Sequence, residues 1–379
     1  METAARAEIL CKTMPKILPA FKENNIAVVF ESSELFVPYL SVALASLIAC
    51  TSAENNYDII ILSSEIKESD EAALCDLCDG KDNVSVRFFN PTSIVEKYIQ
   101  TAKHSYLAIN YYRMSLPWIL TEYPKAINLG ADLIVEHDIS ELFCEPMRED
   151  CYLAGAPDLG YHGRLSLDIS PDELGLSDPY SYINADVLLF DLEKIRRDYC
   201  QDELMDIWQK YCFRCAEQDA LNVFFDRHIH HLDLRWNIFP DRMTSEYHVL
   251  HAPEDSVKVW RKSLCAPYLI HYAAVPKPWD FPMVGWGERW WFYARQSIYY
   301  EEIIRRMCIT ACRDSDPDTG KSWIRRLADK VLPLGSRRRS FAKILLPRGS
   351  GRWNFCKRIQ CLFFGSKDPN AGKKYGRNV

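Results

Sequence analysis

Three short apolar runs rich in β-branched and aromatic residues, at 26–30, 57–62 and 84–89, are separated by stretches of helical spacing, and few folds accommodate that order. After the first run, Pro38 opens a pattern carried by Leu40, Val42, Leu44, Leu47 and Ile48, which predicts a helix with proline in its first turn. After the second, residues 68–78 read as a charged helix. Strands and helices in strict alternation build a parallel sheet covered by helices, so the chain is expected to be α/β. Ligands of such sheets sit beyond the carboxyl ends of the strands, which makes polar residues bordering apolar runs the first candidates for chemistry.

Four segments have that character. In 126–135, Asp132 interrupts an apolar strand, and Asp138 and Glu141 follow as a capping pattern; a carboxylate at 132 is costly without a partner, although capping of backbone amides is the plain alternative. In 182–192, Asn184 and Asp186 lead into an apolar strand and, two apart, share one face. In 217–225, Asp219 and Asn222 fit the first turn of a helix, where N-terminal capping competes with function. In 268–279, a strand ends at His271 and is followed by Lys277 held between Pro276 and Pro278. A fixed cation beside an imidazole points to an anion or metal site, though a lone histidine is most often a satisfied core residue.

Taken in order, these segments resemble the retaining glycosyltransferases of family 8, which include bacterial lipopolysaccharide galactosyl- and glucosyltransferases and, more distantly, glycogenin. The resemblance runs from about Asn25 to Trp279 and rests on Val28-Val29-Phe30, Tyr111-Tyr112-Arg113-Met114, Leu129-Gly130-Ala131-Asp132, Ala154-Gly155-Ala156-Pro157-Asp158, Asn184-Ala185, Gln218-Asp219-x-x-Asn222, Trp236-Asn237, His271-Tyr272 and Lys277-Pro278-Trp279. It implies a GT-A type domain, a mostly parallel sheet flanked by helices, that takes a UDP-hexose with a divalent metal, usually manganese, between the phosphates. Asp132 and His271 match the family's metal ligands, and Lys277 its phosphate-binding lysine. Arg113, Asp158, Asn184, Ala185, Gln218 and Asp219 match positions that hold the sugar or stand behind its anomeric carbon; Gln218, Asp219 and Asp158 are the catalytic candidates. An amide at 218 favours transfer on one face of the sugar with retention, while Asp219 keeps a covalent route open. Breaking a glycosyl-phosphate bond leaves charge on the diphosphate, and a metal and a lysine lower the barrier by stabilising it.

The departures are specific. The family motif is Asp-x-Asp, and its first Asp is Gly130 here, which leaves an ion one carboxylate short. Ser33 stands where an Asp usually holds the uracil, and Phe36 where a Tyr stacks on it. Asp186 replaces a family Gly, and it is expected to supply the missing ligand or a new sugar contact. A non-catalytic member that binds a nucleotide sugar or a partner enzyme is the rival reading; Gly130 and Ser33 favour it, and the retention of Asp132, Gln218, Asp219, His271 and Lys277 together opposes it.

Charge divides the chain. Residues 321–379 carry 16 Lys and Arg against Asp329 and Asp368, a net +14 in a chain of net charge -6, which leaves -20 on the rest. The expected division is a catalytic domain over 1–312 and a basic extension over 313–379. Aromatic and basic residues interleave in the extension, as in helices lying on an anionic membrane surface. No nucleic-acid motif accompanies the charge. No apolar run approaches the ~18 residues of a membrane span, and Glu2, Glu8, Lys12, Lys16 and Lys22 break up any leader pattern. The expected location is therefore cytoplasmic, peripheral on the inner face of the cell membrane. The 14 cysteines include Cys75-x-x-Cys78 and Cys212-x-x-Cys215, which read as reduced thiols on helix faces rather than paired zinc half-sites. The expected acceptor is a lipopolysaccharide or another cell-surface glycan.

Overall fold

A computed structural model describes residues 16–101, 107–210, 213–240 and 244–315. The chain divides into two compact units, Met1–Ile309 and Thr310–Val379. Of the second, only the start is described; the helix Tyr300–Ser315 runs past the boundary expected after residue 312, and the basic extension otherwise lies outside the described residues.

The three apolar runs are strands β1 (Asn25–Glu31), β2 (Asn56–Leu62) and β3 (Val84–Phe89), with α1 (Val37–Ala49) and α2 (Glu68–Cys75) between them. Pro38 occupies the first turn of α1, as its fixed φ and missing N–H favour. The helix expected over 68–78 ends early, its last residues tightening into a 3-10 turn at Asp76–Cys78. There Cys78 Sγ donates to the Cys75 carbonyl and Cys75 Sγ to that of Val86.

Farther along come α3 (Ala108–Met114), β4 (Lys125–Leu129), β5 (Leu133–Val135), β6 (Leu153–Pro157), α4 (Leu159–Leu167), β7 (Ile183–Asp191), α5 (Ala216–Phe224), β8 (Ile229–His231), α6 (Thr244–Val249) and β9 (Leu269–His271). Seven strands form one sheet in the order β3-β2-β1-β4-β7-β6-β8, while β5 and β9 form a separate antiparallel pair. Within the large sheet four of the six pairings are parallel; β7 alone runs against both its neighbours. The sheet is buried on both faces: Val28 and Phe30 of β1, with Val187 and Leu189 of β7, join one core, and Ala27, Val29, Leu188 and Phe190 join the other.

One sequence expectation is corrected here. Residues 126–135 are not a single strand. Strand β4 ends at Leu129 with one further bond from Gly130 N–H to β7, the chain turns through Gly130–Asp132, and Leu133–Val135 pairs with β9 instead. The break puts Asp132 in the gap between the two sheets. On the far side of that gap, α4 and α6 touch at Gly163, where a Cβ would lie 1.6 Å from the His248 carbonyl oxygen. Only glycine allows this approach, and it brings His248 and Arg164 into one cavity wall.

Candidate active site

Strand register assembles the centre of the site. In the β4–β7 pair Leu129 lies opposite Val187, so the next residue, Gly130, donates its N–H to the Asp186 carbonyl at 2.9 Å. In the β5–β9 pair Leu133 lies opposite His271, and Tyr272 N–H bonds the Asp132 carbonyl at 3.0 Å. Three residues distant in sequence are thereby brought together. Ligand atoms of Asp132, Asp186 and His271 all lie within 4.8 Å of one another.

The imidazole is prepared for a metal. His271 is 1% exposed, and its Nδ1 lies 2.9 Å from Asn237 Oδ1. Asn237 Nδ2 donates to Asn184 Oδ1, so the Asn237 oxygen must accept and Nδ1 carries the proton. Nε2 is left with its lone pair facing inward, buried, without a hydrogen-bond partner, and 3.4 Å from both Asp132 Oδ1 and Asp186 Oδ2. A buried orphan nitrogen between two carboxylates fits a divalent cation, held by Asp132, Asp186 and His271. The electrostatics report the negative charge that the two carboxylates place around this nitrogen, charge that a bound cation would compensate in place of a proton. Burial opposes charge on Asp132, but His271 and Lys277 outweigh it and hold the carboxyl well below the usual range. Burial likewise opposes the His271 cation, yet Asp132 and then Asp186 raise its pKa.

Gly130 explains the placement of Asp186. A Cβ at 130 would stand 3.0 Å from Asp186 Oδ1 and 3.1 Å from both Asp132 Oδ1 and Asp186 Cβ. The space a side chain at 130 would use is filled by the Asp186 carboxylate. That carboxylate is oriented from behind, because Arg113 Nη1 donates to Asp186 Oδ1 at 3.1 Å and so leaves Oδ2 toward His271.

Arg113 does not face the cavity as a sugar ligand would. It is buried between Glu31, Asp186 and Glu217, with its guanidinium 3.1 to 3.4 Å from their oxygens. Burial pushes Glu31 up to about 7 against the pull of Arg113, and burial raises Glu217 as well. A carboxyl whose folded pKa lies above its unfolded value of 4.5 gives stability that is complete below about pH 4.5 and is lost as pH rises to about 7. Glu31→Gln removes that loss, so relative to wild type it should gain about 2 to 3 kcal/mol between pH 5 and 8 in metal-free urea unfolding. A pH-independent difference would show that Glu31 is ionised throughout.

A second network holds the remaining candidates. Gln218 Oε1 accepts from Ala185 N–H at 3.0 Å and Asn184 Nδ2 at 3.1 Å, while its Nε2 donates to Asp158 Oδ2 and Tyr182 OH, both at 3.0 Å. Asp158 also caps α4 by accepting from Tyr161 N–H. Asp219 turns the other way: it is 2% exposed and accepts from Tyr182 OH and from the backbone N–H groups of Arg214 and Cys215. Asn222 bonds both the N–H and C=O of Ile183, fixing α5 to the start of β7. Lys277 Nζ donates to the Tyr272 carbonyl at 2.6 Å and to Asp132 Oδ2. Ser33 and Phe36 sit beyond the end of β1, outside the cavity, with the Phe36 ring edge-on to Tyr39 and Trp279.

A cavity of about 470 Å³ reaches from Asp132, Asp186 and His271 to Asp158, Asn184 and Gln218, all of which line it. Sequence reasoning missed Glu31 and Glu217, the carboxylates around Arg113, and the role of Asn237 behind His271. The only signal for Glu31 was its position directly after the run 26–30.

The pattern of Glycosyl transferase family 8 matches residues 27–282. A putative glycosyltransferase of Haemophilus influenzae is 25% identical over 225 residues, 57% of this chain and 64% of that protein. The human glycosyltransferase 8 domain-containing protein 2 is 25% identical over 249 residues, 55% of this chain and 66% of that protein. The matches thus span slightly less than two thirds of these relatives. Among solved structures, the bifunctional glycosyltransferase WbbM superposes with a TM-score of 0.71 at 21% identity, over 77% of this chain and 53% of that one. The galactosyltransferase LgtC, solved with donor and acceptor sugar analogues, gives 0.58 at 22% identity, over 72% and 96%. The fold is that of the GT-A glycosyltransferases, and with two thirds of its length matched the chain belongs to glycosyl transferase family 8.

Proposed function

We propose that this protein transfers a hexose, glucose or galactose, from a UDP-sugar to a cell-surface glycan such as lipopolysaccharide or another glycolipid, with retention of anomeric configuration. One observation carries the reading: the polar cavity joins a two-carboxylate, one-imidazole cluster to an amide, Gln218, whose both ends are pinned. An amide held this firmly is a poor nucleophile but a good dipole beside a developing positive sugar carbon. The favoured route is one-face displacement, in which the bond from the anomeric carbon to phosphate oxygen breaks as the acceptor oxygen bonds that carbon from the same side. The acceptor proton goes to the departing phosphate oxygen. Asp219 is a positioning residue on this route, since its oxygens hold Tyr182 and the backbone entering α5.

Asp132, Asp186 and His271 would hold the divalent metal, which we take to be manganese; when bound it supplies positive charge to the diphosphate. Lys277 adds a second cation beside it, Asp158 and Asn184 take sugar hydroxyls, and Phe36 offers an apolar face for the base next to Trp279. Among the described residues no helix is long and apolar enough to cross a membrane. We assign membrane contact to the basic extension over 313–379 on its charge alone, and co-sedimentation with anionic liposomes measures it directly.

Calorimetric titration with UDP, with and without manganese, tests the reading. The expected result is binding that strengthens at least tenfold with manganese, accompanied by slow hydrolysis of UDP-glucose or UDP-galactose. Binding without hydrolysis or transfer would favour the non-catalytic alternative, and no binding of UDP in either buffer would overturn the donor assignment.

A further inference from the structure

The cavity has one wall that the transfer reading leaves unused. Tyr161 and Arg164 stand three apart on α4 and so share a face, and both line the cavity. Tyr161 OH and Arg164 Nη2 are buried, and neither has a hydrogen-bond partner among the described residues. Arg214, exposed, lines the same wall where its N–H is tied to Asp219 beside Gln218, and no carboxylate pairs with it among the described residues. The one ion pair in the group, Arg164 Nε to Asp168 Oδ1, is 3.5 Å long with Asp168 half exposed. Asp158, the other acid on this side, already accepts from Tyr161 N–H, Asn184 and Gln218.

Orphan buried donors are rare because each forfeits its solvation. Here two of them, a hydroxyl and a guanidinium nitrogen, belong to side chains that line one cavity together with a second guanidinium. We propose that Tyr161, Arg164 and Arg214 form an anion-binding subsite, and that the acceptor sugar therefore carries a carboxylate or phosphate group near the hydroxyl that is glycosylated. The inference rests on the transfer reading and names its acceptor class. An acceptor rather than a donor group is favoured because the donor's own negative charge lies on its diphosphate, which the metal cluster and Lys277 match. Planar guanidinium forks suit carboxylate and phosphate oxygens, and the hydroxyl completes a three-donor cradle.

The test uses the full chain with manganese and compares p-nitrophenyl glucuronide with p-nitrophenyl glucoside as acceptors, which differ only at C6, a carboxylate in one and a hydroxymethyl group in the other. The glucuronide should be favoured roughly tenfold or more in kcat/KM, the scale of a charge-assisted hydrogen bond. Arg164→Gln and Arg214→Gln should each move that ratio toward one; Arg214, being exposed, carries the test if the first variant does not fold. A ratio near one in wild type, or a ratio untouched by both substitutions, overturns the subsite. Selection for UDP-glucuronate over UDP-glucose as donor, with no acceptor preference, overturns the assignment to the acceptor. Binding of methyl glucuronide against methyl glucoside, followed by NMR with UDP and magnesium present, decides without turnover. Selective binding that Arg214→Gln abolishes supports the subsite even in a protein that transfers nothing, and equal binding of the two glycosides refutes it.

Discussion

Asp186→Asn should weaken manganese binding by at least the ten- to hundredfold that loss of even a supporting contact costs a metal site. The family resemblance implies a carboxylate at the position of Gly130, and in this chain the Asp186 carboxylate from the neighbouring strand fills that space. Antiparallel pairing of β4 with β7 makes the two positions interchangeable, because Gly130 N–H bonds Asp186 C=O and a Cβ at 130 would stand 3.1 Å from Asp186 Cβ. The exchange predicts strong coupling. Gly130→Asp alone crowds two carboxylates into one space and should lower both stability and metal affinity. Gly130→Asp with Asp186→Gly removes the crowding and should recover affinity to within a few fold of wild type, a non-additivity that isolates the pair. Manganese calorimetry on the four proteins reads it. Unchanged affinity in Asp186→Asn, or a double variant no better than Gly130→Asp alone, would mean that Asp186 is no ligand.

The same pair shows what the sequence could and could not disclose. Strand β1 was readable because it is buried on both faces and so appears as an unbroken apolar run at 26–30, whereas β3 buries Val84 and Val86 on one face and alternates with Ser85 and Arg87. Asn184 and Asp186 were readable as a pair because the strand period places i and i+2 on one face. The turn at Gly130–Asp132 was not, since 126–135 stays apolar on both sides of it and only pairing with β9, more than 130 residues away, shows that the chain has changed sheets. Neighbouring residues also separated in role. Gln218 and Asp219 are adjacent, but about 100° of helical rotation sends one amide into the cavity and the other residue's carboxylate back onto the chain entering α5. Arg113 was legible as a site residue but its partners were not, because Glu31 and Glu217, which surround it, come from segments 82 and 104 residues away. The family resemblance supplied the ordered motifs; the partner of each charge depended on register.

Lys277→Ala should reduce turnover by about a hundred- to a thousandfold, the usual consequence of deleting one preorganised donor aimed at developing charge. The lysine is held in place on two sides. Its Nζ is tied to the Tyr272 carbonyl, Tyr272 in turn bonds Asp132, and the nearby Trp279 ring stacks on Tyr39 at 4.1 Å. Because Lys277 also bonds Asp132 Oδ2, it competes with any other cation for that carboxylate. Removing it frees the oxygen, so manganese affinity should stay level or rise while kcat falls. Opposite movement in the two readouts separates charge stabilisation on the leaving diphosphate from simple loss of architecture, which would lower both. Lys277→Arg restores the charge but not the compact point donor, and it should recover part of the turnover. If Lys277→Ala instead loses metal affinity and turnover in equal measure, the lysine serves to hold Asp132 in place, and the leaving group must find its second cation elsewhere in the cavity.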